Sequence, residues 1–278
     1  MKDAKVLTIQ DYSSFGQCSL SVALPIISAM GIETVSLPIA LLSTHTSGFK
    51  GYTYVDLKDN ALPAAKHLKS LGLDFDYIYL GYLGKSQTAK LCLEIADLFP
   101  DAQLIVDPAM AEGGELYDGL TPDLIESMAQ LCRRSYLSLP NLSEACLLAG
   151  EKYAPIQNEK SILTIVEKLC NRGIKDFIIT GIKTKDGMSL AYHDGFATHF
   201  IKTDTVDGEF LGSGDVFASS LVGALANDVP LEKCIKLAAA YTYKTIELTS
   251  KDKSHWYGLK FEKTIPYLLE LLNSFKYA

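Results

Sequence analysis

The stretch Gly208-Glu209-Phe210-Leu211-Gly212-Ser213-Gly214-Asp215-Val216-Phe217-Ala218-Ser219-Ser220 sets two glycines, a hydroxyl and an acid directly before an apolar helical run. Gly212 and Gly214 let the backbone turn tightly and approach a ligand. The unpaired N–H groups and positive dipole end of the helix that follows favour negative charge there. Asp215 does not suit a phosphate ligand, because a carboxylate repels phosphate. It suits a group that takes the proton from a hydroxyl attacking that phosphate. A Gly-x-Gly-Asp run taken alone is more often a loop capping a helix, so the rest of the chain decides its meaning.

Working outward from this stretch, short apolar runs alternate with longer segments of helical period. Val6–Gln10, Val35–Ala40, Tyr77–Leu80, Leu104–Val106, Tyr136–Leu139 and Phe177–Thr180 read as strands, with helices centred near residues 25, 66, 93, 126, 147 and 166. Strand, helix, strand in this order implies right-handed crossovers and an α/β fold with a mostly parallel sheet covered on both faces. Ser189–His193 and Ala197–Lys202 flank the turn dipeptide Asp194-Gly195, which predicts an antiparallel edge hairpin. Beyond the glycine-rich loop, Ser213–Ala226, Leu231–Leu248 and Lys260–Phe275 read as helices. Without a linker or an internal repeat, residues 1–278 are expected to form one domain.

Composition narrows the function classes. The 278 residues are 48% hydrophobic, enough for a large core, and the net charge of −7 with a pI near 5.3 argues against nucleic-acid or membrane-surface partners. No segment approaches the ~18 apolar residues of a membrane helix, and Met-Lys-Asp-Ala-Lys leads into the first strand without a signal-peptide core. A cytoplasmic protein is expected. The six cysteines, at 18, 92, 132, 146, 170 and 234, form no Cys-x-x-Cys pair and read as buried small apolar residues, and the five histidines lack ligand spacing.

In parallel sheets, ligands bind beyond the carboxyl ends of the strands. Polar and glycine residues collect there: Gln10–Gly16, Ser43–Gly48, Gly81–Gly84, Asp107-Pro108, Pro140–Glu144 and Thr180-Gly181. Two nucleotide motifs fail on spacing. Gly84-Lys85-Ser86 imitates a P-loop, but the first glycine should stand where Tyr79 is, so Lys85 reads as an ordinary helix-start residue. Gly212-Ser213-Gly214 lacks the third glycine of a dinucleotide fingerprint and precedes a run of helices, which argues against NAD.

Taken in order, these pieces resemble the ribokinase-like superfamily and, within it, the pyridoxal kinase family. The resemblance rests on Val6–Gln10 with Phe15-Gly16, Ser43–Gly48, Gly81–Gly84, Asp107–Met110, Pro140–Glu144 and Gly212–Asp215, and covers nearly the whole chain. It implies a three-layer α/β/α kinase that phosphorylates the 5′-hydroxymethyl group of a vitamin B6 vitamer from ATP. Mg²⁺ and a monovalent cation such as K⁺ are the ions it implies, and the assembly a homodimer.

The resemblance makes Asp215 the base and Gly212, Ser213 and Gly214 the holders of the transferred phosphoryl group. Asn141 and Glu144 match the family's Asn-x-x-Glu motif for Mg²⁺ and phosphate, a spacing that is equally a helix capping box. Asp107 resembles the acid near the metal, Thr180 a hydroxyl near the nucleotide phosphates and Tyr117 a nucleotide-side tyrosine. On the acceptor side Tyr82 would stack on a flat ring, His45 and Thr46 would bond its substituents, and Asp11 and Ser13 fall in the first loop.

This chain departs from the family there. Asp11-Tyr12 replaces the usual Ser-His, and an acid suits a protonated pyridine nitrogen better than a serine does. Leu139 replaces a common threonine. The hydroxymethylpyrimidine kinases of thiamine biosynthesis share the fold and often carry cysteine for the loop acid, so Asp215 leans away from them. A non-catalytic relative that binds vitamin or ATP is the alternative of another class. Sugar and nucleoside kinases fit less well, because no extended lid strands are expected near the amino terminus.

Overall fold

Alternation within the strands sorts the apolar residues into two cores, one on each side of a single sheet. The computed structural model describes residues 4–276. Met1–Asp3, which the sequence puts just before the first strand, lie outside the described residues. On β1 (Lys5–Phe15) and β4 (Tyr77–Leu80), Leu7, Ile9, Ile78 and Leu80 face one core while Val6 and Tyr79 face the other. The first core is closed by α2 (Lys58–Ser70), α3 (Ser86–Leu98), α4 (Asp123–Arg134), α5 (Leu142–Ala149) and α6 (Glu159–Asn171). The second is closed by α1 (Leu20–Ala29), α7 (Ser213–Leu225), α8 (Leu231–Thr249) and α9 (Ile265–Lys276).

The expected three-layer architecture is therefore present, with nine strands in the order β11-β10-β9-β8-β5-β4-β1-β2-β3. The remaining members are β2 (Glu33–Thr44), β3 (Tyr54–Asp56), β5 (Gln103–Val106), β8 (Leu137–Ser138), β9 (Asp176–Thr184), β10 (Gly187–Asp194) and β11 (Thr198–Thr203). β1, β2, β4, β5, β8 and β9 pair in parallel, and β9-β10-β11 supplies the antiparallel edge.

Three features differ from the sequence reading. Residues 11–15, read as a loop, continue β1 and stay paired with β2 as far as Phe15 and Thr44, and β3 joins antiparallel beyond them. The chain thus carries extended strands near its amino terminus where none were expected. Polar Ser13 and Ser14 hide that extension from a hydrophobicity pattern. Thr180-Gly181 lies inside β9, not at its end, beside an irregularity in the β9–β10 pairing. A two-stranded ribbon, β6 (Ala111–Glu112) and β7 (Glu115–Leu116), is too short to leave a periodic signal. The register between β1 and β2 slips at Gln10/Asp11, opposite Pro38, which has no N–H to give the ladder; such bulges re-aim side chains beside functional clefts.

Candidate active site

A cleft of about 680 Å³ opens at the carboxyl ends of β1, β4, β5 and β8, facing the start of α7. Every residue of α7 from Val216 to Leu225 is buried, so the helix is held on all sides and its first turn has a fixed position. Gly212 caps it in the left-handed conformation, φ 78°, and a Cβ there would lie 2.2 Å from the carbonyl oxygen of Gln17. The first intrahelical bond runs from Val216 N–H to the Gly212 carbonyl at 3.0 Å, and Ser213 N–H reaches the Phe210 carbonyl at 3.4 Å. Among the described residues, no protein acceptor meets the N–H groups of Gly214 and Asp215, and space above Gly214 is open. These two donors and the dipole end form an anion-binding turn.

Asp215 is half-buried in the same turn. Burial raises its carboxyl to about 7, with the backbone N–H of Ser19 pulling it down and the charge of Asp11 pushing it up. The carboxyl thus stands well above the value near 4 of a free aspartate, because the cleft removes water from the charge.

Asp107 and Glu144 form the opposite wall. Asp107 is pushed well above the usual carboxylate range by burial and then by the charges of Glu144 and Asp215, against a single N–H from Ala109. Glu144 is raised by burial too, but Met110 N–H and Ala111 N–H donate to its Oε1 at 3.0 and 3.4 Å and Asn141 N–H to its Oε2 at 2.8 Å. These three amides pull the Glu144 carboxyl down against its burial, whereas Asp107 has one. Asn141 and Glu144 do form the capping box that their spacing allowed, with Asn141 Oδ1 accepting from Glu144 N–H at 2.9 Å. Asn141 Nδ2 donates to the Ala111 carbonyl at 2.8 Å, tying the cap to the β6–β7 ribbon.

The remaining expected residues divide by side. Thr180 and Tyr117 line the cleft near Asn141; Thr180 N–H donates to the Pro140 carbonyl at 2.9 Å, and burial and the surrounding acids push the Tyr117 hydroxyl up. Asp11, His45, Thr46 and Tyr82 line the other half. Ser13 does not face the cleft: it is buried beneath Asp11, and its hydroxyl donates to Asp11 Oδ2 at 3.1 Å. Burial raises the Asp11 carboxyl, and the hydroxyls of Ser19 and Ser13 lower it. His45 already spends Nε2 on the Tyr257 carbonyl at 3.0 Å, leaving Nδ1 for a ligand. Lys85 is outside the cleft, paired with Asp56 at 2.8 Å, as an ordinary helix-start residue should be.

Sequence reasoning missed Cys18 and Ser19. Both line the cleft, and Cys18 is half-buried between Asp11 and Asp215 where a core cysteine was expected. Ser19 holds a positive φ of 52° without being glycine, a strained conformation that points its N–H at Asp215 and its hydroxyl at Asp11. No residue pattern in the chain could have signalled it.

An acid of raised pKa beside two free amides at a helix start is suited to moving a phosphoryl group onto a hydroxyl, and the protein is a kinase, a phosphotransferase with an alcohol acceptor. Within that class, the chain belongs to the phosphomethylpyrimidine kinase family, which it matches over residues 23–259. It is 24% identical over 266 residues to the pyridoxine/pyridoxal/pyridoxamine kinase of Bordetella avium, covering 88% of this chain and 85% of that one. A candidate phosphomethylpyrimidine kinase of Bacteroides thetaiotaomicron, crystallised in an orthorhombic form with pyridoxal, superposes with a TM-score of 0.88 at 26% identity over 96% of each chain. The pyridoxal kinase of Lactobacillus plantarum superposes with a TM-score of 0.88 at 27% identity over 98% of each chain. Among the described residues, no helix is long and apolar enough to cross a membrane.

Proposed function

We propose that the chain transfers the γ-phosphoryl group of ATP to the 5′-hydroxymethyl group of pyridoxal, pyridoxine or pyridoxamine. The observation that carries this reading is that Asp215 and the open amides of α7 stand in one cleft with a buried acid, Asp11, and an aromatic ring, Tyr82. A flat cationic heterocycle bearing a primary alcohol fits that pair: Tyr82 stacks on the ring and Asp11 accepts from its protonated nitrogen. Asp215 then takes the hydroxyl proton as the oxygen attacks. In the turn of Gly212, Ser213 and Gly214, the open N–H groups of Gly214 and Asp215 hold the moving phosphoryl group, because Ser213 N–H is spent on the Phe210 carbonyl, which moves the expected holders one residue along; Asn141, Thr180 and Tyr117 meet the nucleotide. The pyridoxal-containing relative among the similar structures supports the acceptor class.

Asp107 and Glu144 would hold Mg²⁺. Burial, then the charges of Glu144 and Asp215, raise the Asp107 carboxyl, so a divalent cation between Asp107 and Glu144 would let Asp107 ionise. Two carboxylates with water completing the shell are oxygen donors of the kind Mg²⁺ accepts. When bound, it would neutralise charge on the phosphate oxygens.

The family match favours a second reading, in which the alcohol is hydroxymethylpyrimidine. Incubation with Mg-ATP and each alcohol in turn, following ADP release, separates the two. Turnover with hydroxymethylpyrimidine and with no B6 vitamer overturns the first reading, and binding without turnover overturns both.

Two further outcomes are expected. The base works as a carboxylate, so kcat/KM should fall as pH drops through about 7, the raised value of Asp215; a profile flat between pH 6 and 8 would contradict it. Asp11→Ser should raise the vitamer KM about tenfold and remove its pH dependence while nucleotide affinity holds, since the acid pairs only with a ring cation. An unchanged KM-against-pH curve in that variant would remove the contact.

A further inference from the structure

The Gly16–Cys18 corner is tied to a distant segment that neither the sequence motifs nor the cleft chemistry uses. Gln17 N–H donates to the Tyr257 carbonyl at 3.0 Å, and the same carbonyl accepts His45 Nε2–H at 3.0 Å. One backbone oxygen therefore joins the two loops that border the alcohol-binding half. The Gln17 side chain bridges further: Nε2 donates to both oxygens of Glu262 at 2.8 and 3.0 Å, and Oε1 accepts from His255 Nε2 at 2.7 Å.

Packing allows little slack. A Cβ on Gly258, φ 148°, would lie 2.5 Å from the Gln17 Cβ and 2.9 Å from its backbone nitrogen. Phe49 packs on Trp256 with ring centres 4.7 Å apart, and Phe15 on Tyr257 at the same distance, so the segment is clamped on its aromatic side as well. On its other side, the Gln17 carbonyl occupies the space that a Gly212 side chain would need.

We propose that Gln17 is a positioning residue for the phosphoryl transfer: it locks His255–Gly258 as a strap against the two loops that border the alcohol-binding half and seats the Cys18–Ser19 corner against the anion-binding turn. The proposal rests on the kinase reading above. Its consequence is one-sided. Asp11 and Ser19 flank the strapped corner and His45 is bonded to the strap itself, whereas Asn141, Thr180 and Tyr117 stand past the end of β8, within β9 and after the β6–β7 ribbon, to which no hydrogen bond from the strap runs among the described residues.

The test uses the full chain and three variants. Gln17→Ala removes the hydrogen bonds to Glu262 and His255, and should raise the KM for the alcohol about tenfold or more while the nucleotide dissociation constant stays within about twofold. Gln17→Glu sets a carboxylate against Glu262 and should do at least as much harm. Combining Gln17→Glu with Glu262→Gln restores the pattern with polarity reversed, because the amide introduced at position 262 then donates to the carboxylate introduced at position 17. The double variant should therefore return to within about threefold of wild type. Hydrogen exchange at the Gln17 amide, which needs no turnover, should speed up in Gln17→Ala. An alcohol KM unchanged in Gln17→Ala, equal losses for alcohol and nucleotide, no recovery in the double variant, or unaltered exchange would each overturn the strap. Wild-type protein inert toward every alcohol would overturn the kinase reading instead.

Discussion

Asp215→Asn is expected to lower kcat by at least ~100-fold with little change in nucleotide affinity, the loss found when a positioned general base is removed. Asparagine keeps the size and the hydrogen-bonding shape of the side chain, so the Ser19 N–H retains an acceptor and the helix start keeps its geometry. What disappears is the ability to take a proton. The variant should also lose the activity midpoint near pH 7, because the group assigned to it no longer titrates. Steady-state kinetics from pH 5 to 9, paired with nucleotide binding, check both points, and near-normal turnover would strip Asp215 of its role. The physical interest lies in the match between base and reaction. A carboxylate near 4 is a weak base at neutral pH, whereas one raised to about 7 sits where protonation state and proton affinity are jointly favourable.

Gly212→Ala should be nearly as damaging for a different reason. Its φ of 78° costs a β-carbon-bearing residue about 1–2 kcal/mol, and the added methyl would meet the Gln17 carbonyl at 2.2 Å. That obstacle is backbone, so no side-chain rotation relieves it. Either the α7 start or the Gln17 corner must move, separating the anion-binding amides from the groups that face them. A displacement of ~1 Å can cost 10²-fold in rate, and kcat/KM should drop by about that factor together with a lowered Tm. Gly214→Ala is the control: its φ is not positive and its Cβ would meet nothing within 4 Å, so its Tm should stay near wild type. Equal stability and activity in Gly212→Ala would show that the turn is not held against Gln17.

Much of the molecule was legible in the chain because its signals are local. The six parallel strands, the edge hairpin and the helical tail came from periodicity, which depends on residues two to four apart. The Asn141–Glu144 cap was visible for the same reason, as both partners lie within one turn of α5. Thirteen of the fourteen expected site residues line one cleft; Ser13 alone is tucked beneath another, because β1 continues past the point where the sequence reads as loop. The extension of β1 and β2 and the short β3 escaped because strands that hang beyond the sheet need no alternation of apolar and polar residues.

The sequence alone determined the α/β order of elements, the glycine-opened start of α7 and the identity of the acids that could meet there. Tertiary structure decided what those acids are worth. The rise of Asp215 to about 7 comes from desolvation, which depends on everything packed around the cleft and on no neighbour in the chain. Likewise the Ser19–Asp215 contact and the Gln17–Glu262 bridge join residues 196 and 245 positions apart, contacts that only the closed fold brings within reach.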